Sequence, residues 1–202
     1  MTMASRSTTQ DDLAGGIRGY LAGLKNAIDM IDVDEVTMVM DCLLDVYRRD
    51  GAVYIFGNGG SASTAAHFVN DFNKGASETL TKRFRFYCLN DNVPTVMALA
   101  NDMNYDQVFV EQLKNYLSPQ DVVIAISGSG NSRNVLEAVR YAKQRRVETI
   151  ALVGFDGGRL KRLADRCIHV RVNDMQKVED LHLAMNHAMM TVLKKRLEKW
   201  LP

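Results

Sequence analysis

Residues 52–71 read AVYIFGNGGSASTAAHFVND and join a strand, a turn and a helix in one stretch. Residues 52–56 are continuously apolar, which is typical of a strand buried on both faces of a parallel sheet. Glycines and an asparagine follow at 57–60, and small and apolar residues then continue as a helix. This order predicts the first half of a βαβ unit.

The same order recurs along the chain. Further β-branched runs lie at 84–89, 121–126, 148–153 and 167–172, and most lead through a polar loop into a helix. Two helices precede the first strand, the second over 34–49, and a long helix over 174–200 ends the chain. The first helix carries apolar residues at positions 13, 17, 20, 21, 24, 28 and 31. The pattern predicts one α/β domain over 1–202, with four or five parallel strands and a flexible segment at 1–10.

Composition narrows the class of partner. The 202 residues carry a net charge of +1, so nothing favours nucleic acid or an anionic membrane surface. No apolar run approaches the roughly 20 residues of a membrane span, and the N-terminus does not resemble a signal peptide. Cys42, Cys88 and Cys167 lack metal-ligand spacing and are expected to be buried reduced thiols. We therefore expect a cytoplasmic protein that binds a small polar ligand.

A second loop, Ser127-Gly128-Ser129-Gly130-Asn131-Ser132, also follows a strand and begins a helix. Glycine backbone N–H groups, serine hydroxyls and a helix N-terminus together favour a phosphate, although the same residues also make ordinary turns and caps. The pattern of a nucleotide-hydrolysing P-loop is absent. Residues 57–62 satisfy G-x-G-x-x-A, and Asp91 could contact a ribose, so a dehydrogenase is an alternative at this point.

Histidines and carboxylates occur at helical spacing in two places. His67 and Asp71 are four residues apart, and Glu179, His182, Asn186 and His187 share a broad stripe of the last helix. Such sets can form a general acid/base pair, a metal site or merely surface ion pairs and core histidines. His169, on the last strand, is expected to be structural.

Five ordered motifs resemble one family: GNGGSASTAAHF, ALANDMNYDQVF, AISGSGNSRNVLEAVRYAK, ALVGFDGG and EDLHLAMNHAM. Together they are similar to the sugar isomerase (SIS) domain of the phosphoheptose isomerase type. The resemblance implies a single SIS domain with a five-stranded parallel sheet, assembled as a homotetramer with sites at subunit interfaces, where His182 or the loop near Lys74 would reach a neighbour. It also implies that sedoheptulose 7-phosphate is converted to D-glycero-D-manno-heptose 7-phosphate through an enediol, with no nucleotide cofactor.

The resemblance also implies roles for individual residues. The catalytic residues would be Asp71, Glu179 and His187. A zinc ion, one per subunit, would be held by His67, Asp71, Glu179 and His187. The substrate would be bound by Asn58, Gly59, Gly60, Ser61, Asn101, Asp102, Ser127, Gly128, Ser129 and Ser132.

The chain departs from the family pattern at several of these positions. Asp71 stands where the family usually has Glu, Glu179 where it has Gln, and Gly128 where it has Thr. Residues 73–75 lack an arginine that is common there. These differences affect the choice of sugar more than the class of reaction. A sugar-phosphate sensor or a protein-binding scaffold of the same fold is the alternative function.

Overall fold

A computed structural model describes residues 4–199, with side chains from Gln10 onward. Five strands form one parallel sheet in the order β2-β1-β3-β4-β5, which confirms the predicted architecture. The strands are β1 Val53–Gly57, β2 Phe86–Cys88, β3 Val122–Ser127, β4 Glu148–Val153 and β5 Arg166–His169.

Helices cover both faces of this sheet. Within the described residues they are α1 Ala4–Asp29, α2 Val33–Arg48, α3 Gly60–Asn70, α4 Val93–Asp102, α5 Val110–Tyr116, α6 Arg133–Gln144, α7 Gly158–Leu163 and α8 Met175–Glu198. A π-helical turn, Asp71–Ala76, follows α3, and a short 3₁₀ turn, Tyr105–Gln107, follows α4. Residues 1–3 and the expected helix end at Trp200 lie outside the described residues. Part of the stretch expected to be flexible is thus helical, and its flexibility stays a prediction.

Two apolar cores lie on opposite faces of the sheet. Successive strand residues point to opposite faces, so Ile55 joins the core beneath α2, α3 and α8, whereas Phe56 joins the core beneath α5 and α6. All six residues of β3 are buried. The sheet is therefore covered on both sides, as its uninterrupted apolar strands predict.

The sheet register places the two glycine-containing loops side by side. Gly57 at the end of β1 is paired with Ile126 on β3, so the residues that follow both strands emerge at one edge. Asn90, just after β2, holds this edge: its Nδ2 donates to the Gly57 carbonyl at 2.9 Å, and its Oδ1 accepts from the Gly57 N–H at 3.2 Å. Ligands of parallel sheets bind at this carboxyl edge.

The π-helical turn after α3 is attached to the outer strand β2. The Asn73 carboxamide donates to the Phe86 carbonyl at 2.8 Å and accepts from the Phe86 N–H at 2.9 Å. Phe72 stacks on Phe86 with ring centroids 4.4 Å apart. These contacts fix the position of the chain immediately after Asp71.

The first helix lies at the surface of the protomer. Tyr20 donates a hydrogen bond to Asp180 on α8, and the Lys177 ammonium lies 4.4 Å from the Tyr20 ring centroid. The apolar stripe on the same helix is largely exposed, with Leu13 at 64% and Ile17 at 63%. No helix among residues 4–199 combines the length and hydropathy that crossing a membrane requires.

The cysteines are free thiols, as predicted: Cys42 and Cys88 are buried and Cys167 is half-buried. Burial raises the pKa of each thiol to about 12, so none is an activated nucleophile.

Candidate functional site

The serine loop after β3 forms an anion-binding shape at the start of α6. Ser132 occupies the N-cap of α6, yet its side chain makes no capping bond, and its Oγ lies 3.2 Å from the Ser127 Oγ. Gly130 has φ of 64°, a conformation that favours glycine. Hydroxyls not used for capping and a helix N-terminus at one point suit a phosphate oxygen.

A cavity of about 280 Å³ connects this loop to the glycine loop after β1. Eight of the ten residues that the sequence predicts to bind substrate line it, together with Ile126 and two residues of α8. The lining residues are Asn58, Gly59, Gly60, Ser61, Ile126, Ser127, Gly128, Ser129, Ser132, Met175 and Glu179.

Side chains of α8 line one side of the cavity and explain why two of its positions are glycines. A methyl group at Gly60 would overlap the Glu179 carboxylate, so this carboxylate can occupy its position over the loop only because Gly60 has no side chain. A Cβ at Gly128 would lie 2.5 Å from the Met175 Sδ. Met175 thus occupies the space that a side chain at position 128 would need.

An amide network joins the two loops, and sequence reasoning did not find it. The carboxamides of Asn58 and Asn134 donate to each other, both at 2.9 Å, and the Tyr105 hydroxyl donates to the Asn58 Oδ1 at 2.9 Å. Asn134 is buried on α6. Its place two residues after Ser132 is the signal that could have indicated it. The network fixes the Asn58 side chain before any ligand binds.

A second group of polar side chains lies at the far end of α3. The Asp71 N–H still bonds the His67 carbonyl, so the predicted helical spacing of these two residues is kept. The His67 and His187 Nε2 atoms lie 3.0 Å apart, and they are 3.4 and 3.5 Å from the Asp71 Oδ2. One ligand atom from each residue falls within 4.8 Å of the others, so the three could hold a metal ion. We call His67, Asp71 and His187 the histidine–aspartate cluster.

Asparagines complete the surroundings of Asp71, whose side chain is 11% exposed. The Asn186 Nδ2 donates to the Asp71 Oδ2 at 2.7 Å, and the Asn70 Nδ2 donates to the Oδ1 at 3.2 Å. Asn186 is fully buried, and its Oδ1 has no partner among the described residues.

Three predicted site residues do not lie where they were expected. Glu179 lies in the loop cavity and not in the histidine–aspartate cluster, because the eight residues to His187 span about 12 Å of helix. Asn101 and Asp102 are exposed, bond each other at 2.8 Å and do not line the cavity. Their roles toward metal and sugar stay predictions.

The remaining histidines are structural in this protomer. His182 is 1% exposed, and its Nε2 donates to the Val153 carbonyl, so the expectation that it reaches a neighbouring subunit is wrong because it faces its own sheet. Burial lowers the pKa of His182 to about 4. His169, as expected, packs inside: its Nδ1 lies 2.9 Å from the Lys161 Nζ, and burial lowers its pKa.

Comparison with known proteins agrees with this arrangement. A sequence model of the SIS domain matches residues 20–154. The chain belongs to the SIS domain family. This SIS domain is 32% identical over 180 residues to a phosphoheptose isomerase of Chlorobaculum tepidum, covering 88% of this chain and 86% of that protein. It is 37% identical over 145 residues to the phosphoheptose isomerase of Helicobacter pylori, covering 72% and 75%.

A solved structure extends the likeness of this SIS domain to three dimensions. The phosphoheptose isomerase of Neisseria gonorrhoeae superimposes with a TM-score of 0.83 at 27% identity, covering 93% of this chain and 99% of that one. The sheet, the flanking helices and the placement of the loops therefore follow a known isomerase scaffold.

Proposed function

We propose that this SIS domain is a sugar-phosphate isomerase that converts sedoheptulose 7-phosphate to D-glycero-D-manno-heptose 7-phosphate. The observation that supports this proposal most directly is that α3 runs from the loop cavity to the histidine–aspartate cluster. Gly60 at its start lines the loop cavity, and His67 lies seven residues later, about 10 Å along the helix. A sugar with phosphate at one end and a carbonyl near the other matches two sites separated in this way.

The serine loop is proposed to hold the phosphate. Ser127, Ser129 and Ser132 would donate hydroxyl hydrogen bonds, while the N-terminus of α6 supplies positive potential. Glu179 repels a phosphate, so it would face the sugar hydroxyls on the other side of the cavity. Asn58, held by its amide partner, would contact the sugar beside Glu179.

Isomerisation needs two coupled proton transfers. A base removes a proton from C1 of the ketose while an acid protonates the C2 carbonyl oxygen, which gives an enediol. Return of a proton to C2 and loss of the O1 proton then yield the aldose, so no net proton is gained. Asp71 would serve as the base and His187 as the acid, because these two side chains lie in one cluster, whereas Glu179 lies in the loop cavity.

The histidine–aspartate cluster also has a donor set that suits zinc: two imidazole nitrogens and one carboxylate oxygen. Bound there, zinc would supply Lewis-acid polarisation of the carbonyl and hydroxyl pair. His67 and His187 would hold it from α3 and α8, and Asp71 would hold it from between them.

Assembly and location belong to the same proposal. The exposed apolar stripe of α1 supports a homo-oligomer, with a homotetramer as the form that the resemblance implies. A cytoplasmic location stays a prediction from the sequence.

Turnover of sedoheptulose 7-phosphate, followed by NMR for the aldose product, tests the proposal. Asp71→Asn and His187→Ala should each abolish most turnover but leave sugar-phosphate affinity within a few-fold, because they act on the transition state. Their effects should be non-additive. Asp45→Asn, the same chemical change on the exposed side of α2, is the control and should be fully active.

Full activity in either cluster variant would contradict the proposal that Asp71 and His187 act in one catalytic site. Binding of the sugar phosphate without any turnover by the wild type would favour the sensor.

A further inference from the structure

Asn186 is a buried side chain whose presence on α8 needs an explanation. It has no exposed surface, and its neighbours along the buried face of α8 include Met189 and Leu193. Its Oδ1 lacks a hydrogen-bond partner among the described residues. A buried polar atom without a partner destabilises the fold, and a leucine of similar size would avoid that cost.

The bond to Asp71 is the one gain that the described contacts show for this asparagine. Its Nδ2 donates to the Asp71 Oδ2 at 2.7 Å, closer than either histidine nitrogen. An ionised carboxylate only accepts hydrogen bonds, so the amide must present its N–H₂ to Asp71 and turn its oxygen away. The Asn186 Oδ1 therefore lacks a partner in the described part of the chain because the amide is oriented to donate a hydrogen bond to Asp71.

The contact also constrains the direction of the carboxylate. Asn186 occupies one side of Oδ2, and the His67 and His187 Nε2 atoms lie within 3.5 Å of the same oxygen. The amide of Asn186 does not ionise, so it remains a hydrogen-bond donor to Oδ2 at every pH at which the protein is folded. It leaves the rest of Oδ2 directed into the histidine–aspartate cluster.

We infer that Asn186 is a positioning residue, which fixes the orientation of the Asp71 carboxylate in the cluster. It is retained although its Oδ1, unpartnered among residues 10–199, lowers the stability of the fold. The inference rests on the proposed function only in assuming that Asp71 is a catalytic residue or a metal ligand. Hydrogen-bond partners of metal-binding carboxylates typically contribute 10–100-fold to metal affinity.

Titration with Co²⁺ alone, followed by its visible absorption, tests the inference without any sugar. Asn186→Leu should weaken Co²⁺ binding by about 10–100-fold. Met189→Leu, a buried change on the same helix, is the matched control and should bind Co²⁺ as the wild type does. Asn186→Ala, which only truncates the side chain, should show the same loss of affinity and serves if the leucine variant does not fold.

A double-mutant cycle shows whether Asn186 acts through Asp71. In an Asp71→Asn background, Asn186→Leu should change Co²⁺ affinity by less than about twofold. A lowered thermal midpoint with unchanged Co²⁺ affinity, a full effect in that background, or no Co²⁺ binding by the wild type would each overturn the inference. Co²⁺ binding that depends on Asn186, in a protein that does not isomerise sedoheptulose 7-phosphate, would refute the proposed function alone.

Discussion

Acidification should destabilise this protein through His182. The imidazole is 1% exposed, donates from Nε2 to the Val153 carbonyl and has no partner at Nδ1 within the part of the chain that the structure describes. Its pKa is lowered from 6.5 to about 4; burial is the main cause, the bond to Val153 opposes it, and the nearby His169 adds a smaller lowering effect. The folded state therefore holds this histidine neutral at pH values where the unfolded chain already binds a proton.

The sign and size follow from linkage. Because the folded pKa is depressed, the stability is fully present above pH 6.5 and is lost as the pH falls toward 4. For these two pKa values the free energy of unfolding should fall by about 2 kcal/mol between pH 8 and pH 5. Carboxylates contribute their own acid sensitivity, so the wild type must be compared with a variant that lacks only this imidazole.

Urea unfolding of the wild type and of His182→Leu at pH 8, 6 and 5 provides the comparison. The variant loses the donor to Val153 and should be less stable at pH 8, but its stability should fall with pH less steeply, by about 2 kcal/mol over the range. His169→Gln supplies a second reference, because His169 is also buried with a lowered pKa. Parallel pH profiles for the wild type and His182→Leu would refute the reasoning.

Three further predictions test other parts of the structure. The double variant Ser129→Ala, Ser132→Ala should raise KM for the sugar phosphate at least about tenfold with little change in kcat. An unchanged KM would contradict the proposal that the serine loop binds the phosphate. Gly60→Ala should lower kcat/KM, because its methyl group would overlap the carboxylate above it on α8, whereas Gly15→Ala on α1, with open space around it, should not. Ile17→Glu should shift light scattering from an oligomer toward the 22.6 kDa monomer, and a wild type that is already monomeric would contradict the assembly.

Much of the fold was predictable because its signals are local. Each strand is an apolar run, and each loop that matters directly follows one, so the carboxyl edge of the sheet could be deduced from order alone. The serine loop with Ser127 and Ser132, which we propose binds phosphate, was found in this way. The spacing of His67 and Asp71 is likewise a property of one helix.

The parts that could not be predicted depend on distances between elements. A helical stripe shows that Glu179 and His187 share a face but not that only one of them reaches the histidine–aspartate cluster. The Asn58 and Asn134 pair joins residues 76 positions apart, and although Asn134 lies close to Ser132 in the chain, nothing in the sequence indicates which side chain it meets. Tertiary packing alone decides which of such groups meet.

The Asn73 carboxamide has a consequence for how copies of this protein meet in solution. β2 is an outer strand, and the N–H and carbonyl of Phe86 point away from β1 toward the open side. Asn73 bonds both groups, as a neighbouring strand would, and so occupies the position where a strand from another molecule could add. The turn that fixes the chain beyond Asp71 thus also blocks strand addition at the β2 edge of the sheet.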